Sequence, residues 1–148
     1  MTPAARRVLI DTNVFLAAVD ESRPERGNAI QTLEGWPALG VALYTTTQVL
    51  REFLVVATRP VAANGLGLAL PDAIRDVAEF AEATTVLPET LATWRKLLEL
   101  VQDIGVTGVR VHDANIAACA LVNGIGAVVT GNAADFDRLP VEVVGLTE

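Results

Sequence analysis

Cysteine, aromatic residues and long apolar runs are scarce in this chain of 148 residues. Its single cysteine, Cys119, cannot form a disulfide within the chain, so nothing in the sequence indicates an oxidising compartment. Apolar runs long enough to span a bilayer are absent, and the segment MTPAARRVLID lacks the core of a signal peptide. With 51% hydrophobic but 5% aromatic residues, the core must be built mainly from alanine, valine and leucine. We therefore expect one cytoplasmic globular domain over residues 1–148, with no membrane contact.

Positive charge is also in short supply. Eleven Lys and Arg face eighteen Asp and Glu, which leaves a formal net charge of −7. An acidic chain has no general attraction to the phosphates of nucleic acid. If this chain acts on a nucleic acid, divalent cations held by several carboxylates would offset the repulsion.

Short apolar segments alternate with helical patterns along the chain. The apolar segments predict strands at 7–10, 41–44, 85–87, 127–130 and 141–146. The helical patterns lie at 12–19, 24–36, 48–58, 71–83, 89–102 and 113–122, and the loop between them at 61–70 carries apolar residues. Strands that are apolar throughout and alternate with helices are typical of buried parallel strands. The sequence therefore predicts a three-layer α/β/α fold with a mostly parallel sheet.

Acidic and amide side chains recur where strands end and helices begin. Asp11 closes the first strand, Asp113 starts a helix, and Asn132 and Asp135 follow the strand AVVT. Ligands of open parallel sheets bind beyond the carboxyl ends of the strands, so these residues are expected to converge there. Structural explanations also exist, because Asp11 and Asp113 suit helix N-termini and Asp135 suits a solvated turn.

Glu52 lies at the edge of an apolar helix stripe, where a carboxylate without a partner costs free energy. Arg51 cannot serve it, because adjacent residues on a helix do not face each other. Glu52 is thus either at a solvated rim or bound to a partner such as a metal ion, and with Asp11 and Asp113 nearby we favour the partner. His112 suits a structural role better than that of base or ligand, and Cys119 a place in the core.

Three blocks of the sequence resemble the signature of PIN-domain ribonucleases, and more narrowly VapC-type toxins of toxin–antitoxin pairs. They are LIDTNVFL, TTQVLREFLVVATRP and GVRVHDANIAACALVNGIGAVVTGNAADFDRL, which stand in the family's order and cover nearly the whole chain. The loop ATRPVAANGLGL is similar to one found in a subset of such toxins.

The resemblance implies that Asp11, Glu52 and Asp113 are the catalytic acids. A fourth position, often Asp in relatives, is Asn132 here, so Asp135 is the alternative source of a fourth carboxylate. Thr12, Asn13 and Thr130 are implied as supporting residues of the site.

The activity implied is hydrolysis of RNA phosphodiester bonds with Mg²⁺ or Mn²⁺, hard cations that suit carboxylate oxygens. Asp11, Asp113, Glu52 and Asp135 are the implied metal ligands, and the number of cations, one or two, stays open because Asn132 departs from the usual Asp. The implied partners are an RNA substrate, a small cognate antitoxin and a second copy of the chain. Four arginines are candidates for contact with the RNA backbone: Arg51, Arg59, Arg110 and Arg138.

Other classes fit the residues less well. A receiver domain needs a lysine after a late strand, which Lys96 is not, and a dehalogenase-like phosphatase needs Asp-x-Asp where this chain has Asp11-Thr12-Asn13. An inactive PIN-like domain that only binds RNA or a protein partner stays open as the alternative, because Asn132 brings no charge.

Overall fold

The computed structural model describes residues 6–146 and contains a five-stranded sheet with the order β3-β2-β1-β4-β5. All four strand pairs are parallel, so the predicted parallel α/β sheet is confirmed. The domain predicted over 1–148 is thus described without its outermost residues, and the whole of the segment MTPAA lies outside the described part. The strands are β1 (Arg7–Ile10), β2 (Ala42–Thr46), β3 (Thr85–Leu87), β4 (Ala127–Thr130) and β5 (Glu142–Gly145).

Helices cover both faces of the sheet, which gives the three layers expected. Helix α1 packs against α2 and α4, and α4 packs against α5. Helices α6 and α7 pack against each other in the connection from β3 to β4. Within residues 6–146, no helix is both long enough and apolar enough to cross a bilayer. The helices are α1 (Thr12–Val19), α2 (Arg26–Ile30), α3 (Trp36–Ala38), α4 (Thr47–Thr58), α5 (Leu70–Ala83), α6 (Leu91–Ile104) and α7 (Arg110–Val122).

The helix predicted over 24–36 is not a continuous α-helix. A π-helical turn at Gln31–Gly35 separates α2 from α3, and the N–H of Trp36 donates to the carbonyl of Gln31, five residues back. Pro37 follows directly and has no N–H of its own, so the α-helical hydrogen-bond pattern cannot continue regularly through it.

Two boundaries near the predicted site also differ. Strand β2 runs on to Thr46, whose hydroxyl caps α4 by accepting from the N–H of Val49 over 3.0 Å. Helix α7 begins at Arg110 instead of Asp113, so Asp113 lies in its first turn and does not cap it. The loop at 61–70 is not exposed throughout, because Leu66 and Leu68 pack against the core.

The core is centred on β1, the middle strand of the sheet. Val8, Leu9 and Ile10 of β1 are completely buried, as expected for a strand covered on both faces. Phe80 of α5 packs against Phe15 and Phe53, with ring centroids 4.4 and 5.3 Å away. Chain order reverses between β1 and β4, and such a switch point opens a crevice beyond the strand ends.

Candidate active site

Asp11 lies at this crevice, directly after β1. Its backbone N–H donates to the carbonyl of Val129 over 2.9 Å, which keeps it level with the end of β4. Its side chain is 5% exposed and accepts two hydrogen bonds, from the N–H of Thr12 at Oδ1 and from the hydroxyl of Thr130 at Oδ2, each over 2.8 Å. Asp11 therefore caps α1 with one carboxylate oxygen and binds the neighbouring strand end with the other.

Glu52 is half-buried on α4 and faces the same crevice. Its Oε1 accepts from the hydroxyl of Thr12 over 2.9 Å, and its Oε2 accepts from the side-chain amide of Gln48 over 3.0 Å. Arg51 is exposed, in agreement with the prediction that it cannot serve Glu52. Thr12 donates its hydroxyl to Glu52, 40 residues away in the sequence, and its backbone N–H to Asp11, so this residue links the two predicted catalytic acids.

Asp113 and Asp135 complete the acidic group. Asp113 is half-buried in the first turn of α7, and Asp135 lies in a short 3₁₀ turn at Ala133–Phe136, after β4. Asp135 forms an ion pair with Arg110, with 3.3 Å between Oδ1 and the guanidinium.

The four carboxylates lie close enough to affect one another electrostatically. Burial raises the pKa of Asp11 to about 6, hydrogen bonds from Thr130 and Thr12 oppose that rise, and the charges of Glu52 and Asp135 add to it. Burial likewise raises the pKa of Asp113 to about 6, with Asp11, Asp135 and Glu52 adding to the effect and Arg110 opposing it. The acids predicted from distant parts of the sequence are thus brought to one edge of the sheet.

The implied supporting residues form the rim next to β4. Asn13 accepts from the N–H of Gly131 over 2.6 Å, and Asn132 is exposed, with its backbone N–H donating to the hydroxyl of Thr130 over 3.0 Å. A Cβ at position 131 would lie 3.3 Å from Oδ1 of Asn13, so a side chain there would press on this contact. Glycine therefore suits this strand end.

Two polar residues of the site escaped the sequence analysis. The side-chain amide of Gln48 donates to Glu52 and to the carbonyl of His112, and its Oε1 accepts from Asn115 over 2.7 Å. Gln48 is 2% exposed and precedes Glu52 by one helical turn, a spacing that could have marked the pair. No comparable signal marks Asn115.

The remaining predictions concern His112 and Cys119. The side chain of His112 is exposed and is therefore not part of the core. The residue contacts the site through its backbone carbonyl, which accepts a hydrogen bond from Gln48. Cys119 is 1% exposed in α7, and burial raises the pKa of its thiol, so the prediction of a core cysteine is confirmed.

The donor chemistry of the crevice fits a hard divalent cation. Other acidic side chains act on both Asp11 and Asp113, Arg110 opposes their effect on Asp113, and carboxylate oxygens are the ligands that hard cations prefer. Across residues 6–146, no three histidine, cysteine or acidic side chains form a ready-made metal site. Mg²⁺ commonly takes only one or two carboxylates and completes its shell with waters and substrate phosphate, which this open arrangement allows.

Solved structures of similar fold come from toxin–antitoxin systems. VapBC2 from Rickettsia felis, bound to a DNA fragment from its promoter, aligns with a TM-score of 0.71 at 16% identity, covering 94% of this chain and 98% of that one. VapC20 from Mycobacterium tuberculosis, described as a sarcin–ricin loop cleaving toxin, aligns with a TM-score of 0.62 at 19% identity, covering 88% and 92%. VapBC-5 from the same organism shares 26% identity with a TM-score of 0.54, covering 94% and 98%.

Comparison with curated protein sequences finds no match. The sequence model of the PIN domain, in contrast, matches residues 8–142, which include strands β2, β3 and β4, most of β1 and the four acids of the crevice. By this match the chain belongs to the PIN domain family.

Proposed function

We propose that this chain is a metal-dependent endoribonuclease and the toxin of a VapBC-like toxin–antitoxin pair. The observation that carries the proposal is the convergence of Asp11, Glu52, Asp113 and Asp135 on the sheet's switch point, where burial and the charges of the other acids raise the pKa of Asp11 and Asp113. A bound cation would offset this repulsion between carboxylates. The toxin–antitoxin neighbours with the same fold support the class.

Asp11 and Asp113 would hold the first Mg²⁺ or Mn²⁺, with Asp135 as the fourth acid. When bound, the cation would supply Lewis acidity at the phosphate and lower the pKa of water. Glu52 would accept a hydrogen bond from the attacking water and so orient it. Thr12 and Gln48 fix the orientation of the Glu52 carboxylate by donating one hydrogen bond to each oxygen. Each oxygen keeps a further lone pair with which it can accept another hydrogen bond or bind a cation.

Thr130, Asn13 and Asn132 are positioning residues in this proposal. The hydroxyl of Thr130 holds Asp11, and the N–H of Asn132 in turn donates to that hydroxyl. Asn13 anchors the turn at Gly131, which leads to Asn132. A second cation would need Asn132 or Asp135 as a ligand. The ion pair with Arg110 partly neutralises the negative charge of the Asp135 carboxylate.

RNA cleavage by the purified protein tests the proposal. We expect the unsubstituted chain to cleave RNA with Mg²⁺ or Mn²⁺ and to lose the activity in EDTA. Asp11→Asn and Asp113→Asn should abolish cleavage while the far-ultraviolet circular dichroism spectrum stays unchanged. Asp72→Asn is the matched control, because this exposed acid lies in the first turn of α5 and pairs with Arg75. Equal rates in all four proteins would refute the nuclease.

Mn²⁺ binding separates the enzyme from the inactive alternative. A chain that only binds RNA or a protein should bind Mn²⁺ equally with Asp or Asn at position 11. The enzyme should lose Mn²⁺ affinity on Asp11→Asn in isothermal titration calorimetry, because one of its proposed ligands is removed.

The proposed partners are a small antitoxin and a second copy of the chain. Large apolar side chains stand exposed on α6 and around α5, and exposed apolar surface of this kind commonly marks protein interfaces. They are Leu91, Trp94 and Leu98 on α6, with Leu70 and Ile74 on α5. Co-expression with the adjacent reading frame should yield a stable complex that suppresses RNA cleavage, and light scattering should give a dimer mass for the free chain. A free chain of monomer mass would refute the homodimer.

A further inference from the structure

A cavity of about 480 Å³ lies beside the acidic crevice, between the end of α6, the start of α7 and the turn after β4. Its volume is within the range of ligand pockets, roughly 300–1,000 Å³. Ile104, Val106 and Leu139 provide apolar surface, and Arg110 and Arg138 provide positive charge. Apolar surface combined with guanidinium groups suits a ligand that has both a flat ring and a phosphate.

Two residues connect this cavity to the proposed active site. Asp135 lines the cavity and also belongs to the acidic group, and Arg110, its ion-pair partner, lines the cavity as well. Arg110 precedes Asp113 by one turn of α7, so the two side chains lie on neighbouring positions of one helix face. A ligand in the cavity therefore lies next to the residues proposed to act on phosphate.

The arginines are available to a phosphate. The side chains of Arg110 and Asp135 are 52% and 35% exposed, and ion pairs this open to water contribute little to stability. A phosphate oxygen can therefore replace Asp135 at little cost. Arg138 donates one hydrogen bond to the carbonyl of Ile104, and a guanidinium has five N–H donors in all.

We infer that this cavity holds a nucleotide adjacent to the cleaved bond of a single-stranded RNA, with its phosphate on Arg110 and Arg138 and its base against Ile104, Val106 and Leu139. Asp137, which also lines the cavity, offers acceptor oxygens to a base amino group or a ribose 2′-hydroxyl. The two guanidinium groups, beside the carboxylates of Asp135 and Asp137, give an acidic chain a local contact for RNA phosphate. This inference rests on the proposed nuclease function and selects two of the four arginines that the sequence left open.

The salt dependence of RNA binding tests it. Binding of a fluorescent single-stranded RNA of mixed sequence is measured at several salt concentrations and constant Mg²⁺, with Asp113→Asn as the uncleaving background. Removing one phosphate contact should lower the slope of log K against log[salt] by about 0.7 for a single strand. We expect this change for Arg110→Gln and for Arg138→Gln. Arg110→Lys should keep the slope because it keeps the charge.

Arg51→Gln is the matched control, since Arg51 is an exposed arginine on α4 that does not line the cavity. Its slope should equal that of the background protein. Equal slopes for Arg51→Gln and Arg110→Gln would overturn the inference, as would an unchanged slope for both cavity variants. Because Arg138→Gln removes a contact to Ile104, thermal unfolding of each variant is recorded, and Arg110→Gln decides the matter if the Arg138 variant is unfolded.

Failure of the cavity and failure of the nuclease give different results. If the chain cleaves RNA but all variants show equal slopes, the RNA site in the cavity is refuted and the nuclease function stands. If the chain never cleaves RNA but the slopes are reduced, the RNA site in the cavity stands and the nuclease function is refuted. Adenosine monophosphate serves as a second probe: if it binds in an Arg110-dependent way while the RNA slopes are all equal, the cavity binds free nucleotides and the inference is wrong.

Discussion

The hydroxyl of Thr130 lies 2.8 Å from Oδ2 of Asp11, across a gap of 119 residues in the sequence. The contact joins the ends of β4 and β1, between which the chain order of the strands reverses. It opposes the effect of burial on the pKa of Asp11. Thr130 is completely buried, so water cannot replace Asp11 as the hydrogen-bond acceptor of its hydroxyl if Asp11 is protonated or substituted. The hydrogen bond thus favours the charged form of the first proposed metal ligand, against the larger effect of burial.

Replacing this hydroxyl should shift the pH profile of RNA cleavage. Thr130→Val keeps the side-chain volume but removes the hydrogen bond, so the pKa of Asp11 should rise further above its ordinary value of 3.8. We expect the acidic limb of the kcat/KM profile to move to higher pH and the free energy of unfolding to fall by about 1 to 2 kcal/mol.

Thr45→Val is the control for that experiment. Thr45 is also a completely buried threonine near a strand end, and its hydroxyl donates to the carbonyl of Ile10 over 3.0 Å. Its loss should cost a similar free energy of unfolding and leave the pH profile in place. If both variants shift the profile alike, Thr130 has no specific effect on Asp11.

The stability of the cation-free protein should depend on Asp11. The pKa of Asp11 is about 6 in the folded chain against 3.8 ordinarily, so the folded state binds its proton more tightly than the unfolded state does. This stabilisation is fully present below about pH 4 and is lost as the pH rises through about 6. The change corresponds to about 3 kcal/mol at most.

Asp11→Asn should remove the part of this dependence that Asp11 contributes, whereas Asp113, whose pKa is also raised to about 6, keeps its own part. In EDTA near neutral pH, we expect the variant to resist urea more than the unsubstituted chain does, with the difference shrinking as the pH falls through about 6. Added Mg²⁺ should stabilise the unsubstituted chain near neutral pH and leave the variant unaffected. A variant that is less stable than the unsubstituted chain at every pH would contradict the burial effect.

Gln48 should matter to both stability and activity. Gln48→Met keeps the length of the side chain but leaves the carbonyl of His112, the amide of Asn115 and one oxygen of Glu52 without this partner. We expect a loss of about 2 to 4 kcal/mol in urea unfolding, because several polar groups lose hydrogen bonds at once. Cleavage should fall too, since Glu52 is no longer oriented.

Asn115→Ala breaks one link of the same network, the bond to Oε1 of Gln48. Its cost should be smaller than that of Gln48→Met, and the double variant should cost less than the sum of the two. Strict additivity would show that Gln48 and Asn115 act independently.

The fourth acid of the site can be identified by Mn²⁺ titration. Asp135→Asn should weaken Mn²⁺ binding by about tenfold, as the loss of a residue around a metal typically does. Asn132→Ala should leave the affinity unchanged, because Asn132 is exposed and contacts the site through its backbone N–H. Asn132→Asp should strengthen binding by adding a carboxylate. If Asn132→Ala weakens binding more than Asp135→Asn does, the roles are reversed.

The sheet was predictable because its strands are apolar throughout and their order along the chain alternates with helices. The convergence of Asp11, Asp113 and Asp135 followed from the same rule, since the carboxyl ends of parallel strands share one edge. The start of α7 was not predictable, because the glycines at 105 and 108 gave no boundary for the next helix and Arg110 and Val111 suit either structure.

The polar contacts were harder to predict than the acids. The bonds of Gln48 to His112 and Asn115 span 64 and 67 residues, and no local pattern encodes contacts between α4 and α7. The π-helical turn at Gln31–Gly35 depends on how Pro37 fits the helix end, which hydrophobic periodicity does not report. Side-chain partners across elements are fixed by packing rather than by the segments themselves.

Strand β4 is synthesised late but lies at the centre of the sheet, between β1 and β5. While a ribosome is still making the first hundred or so residues, the edge of β1 is unpaired and Asp11 has neither Thr130 nor Asp135 beside it. The proposed active site is therefore incomplete on the ribosome until β4 and the turn that carries Asp135 have emerged and folded against β1. The proposed nuclease would gain its activity only at that stage, which leaves the earlier part of synthesis for the proposed antitoxin to accumulate.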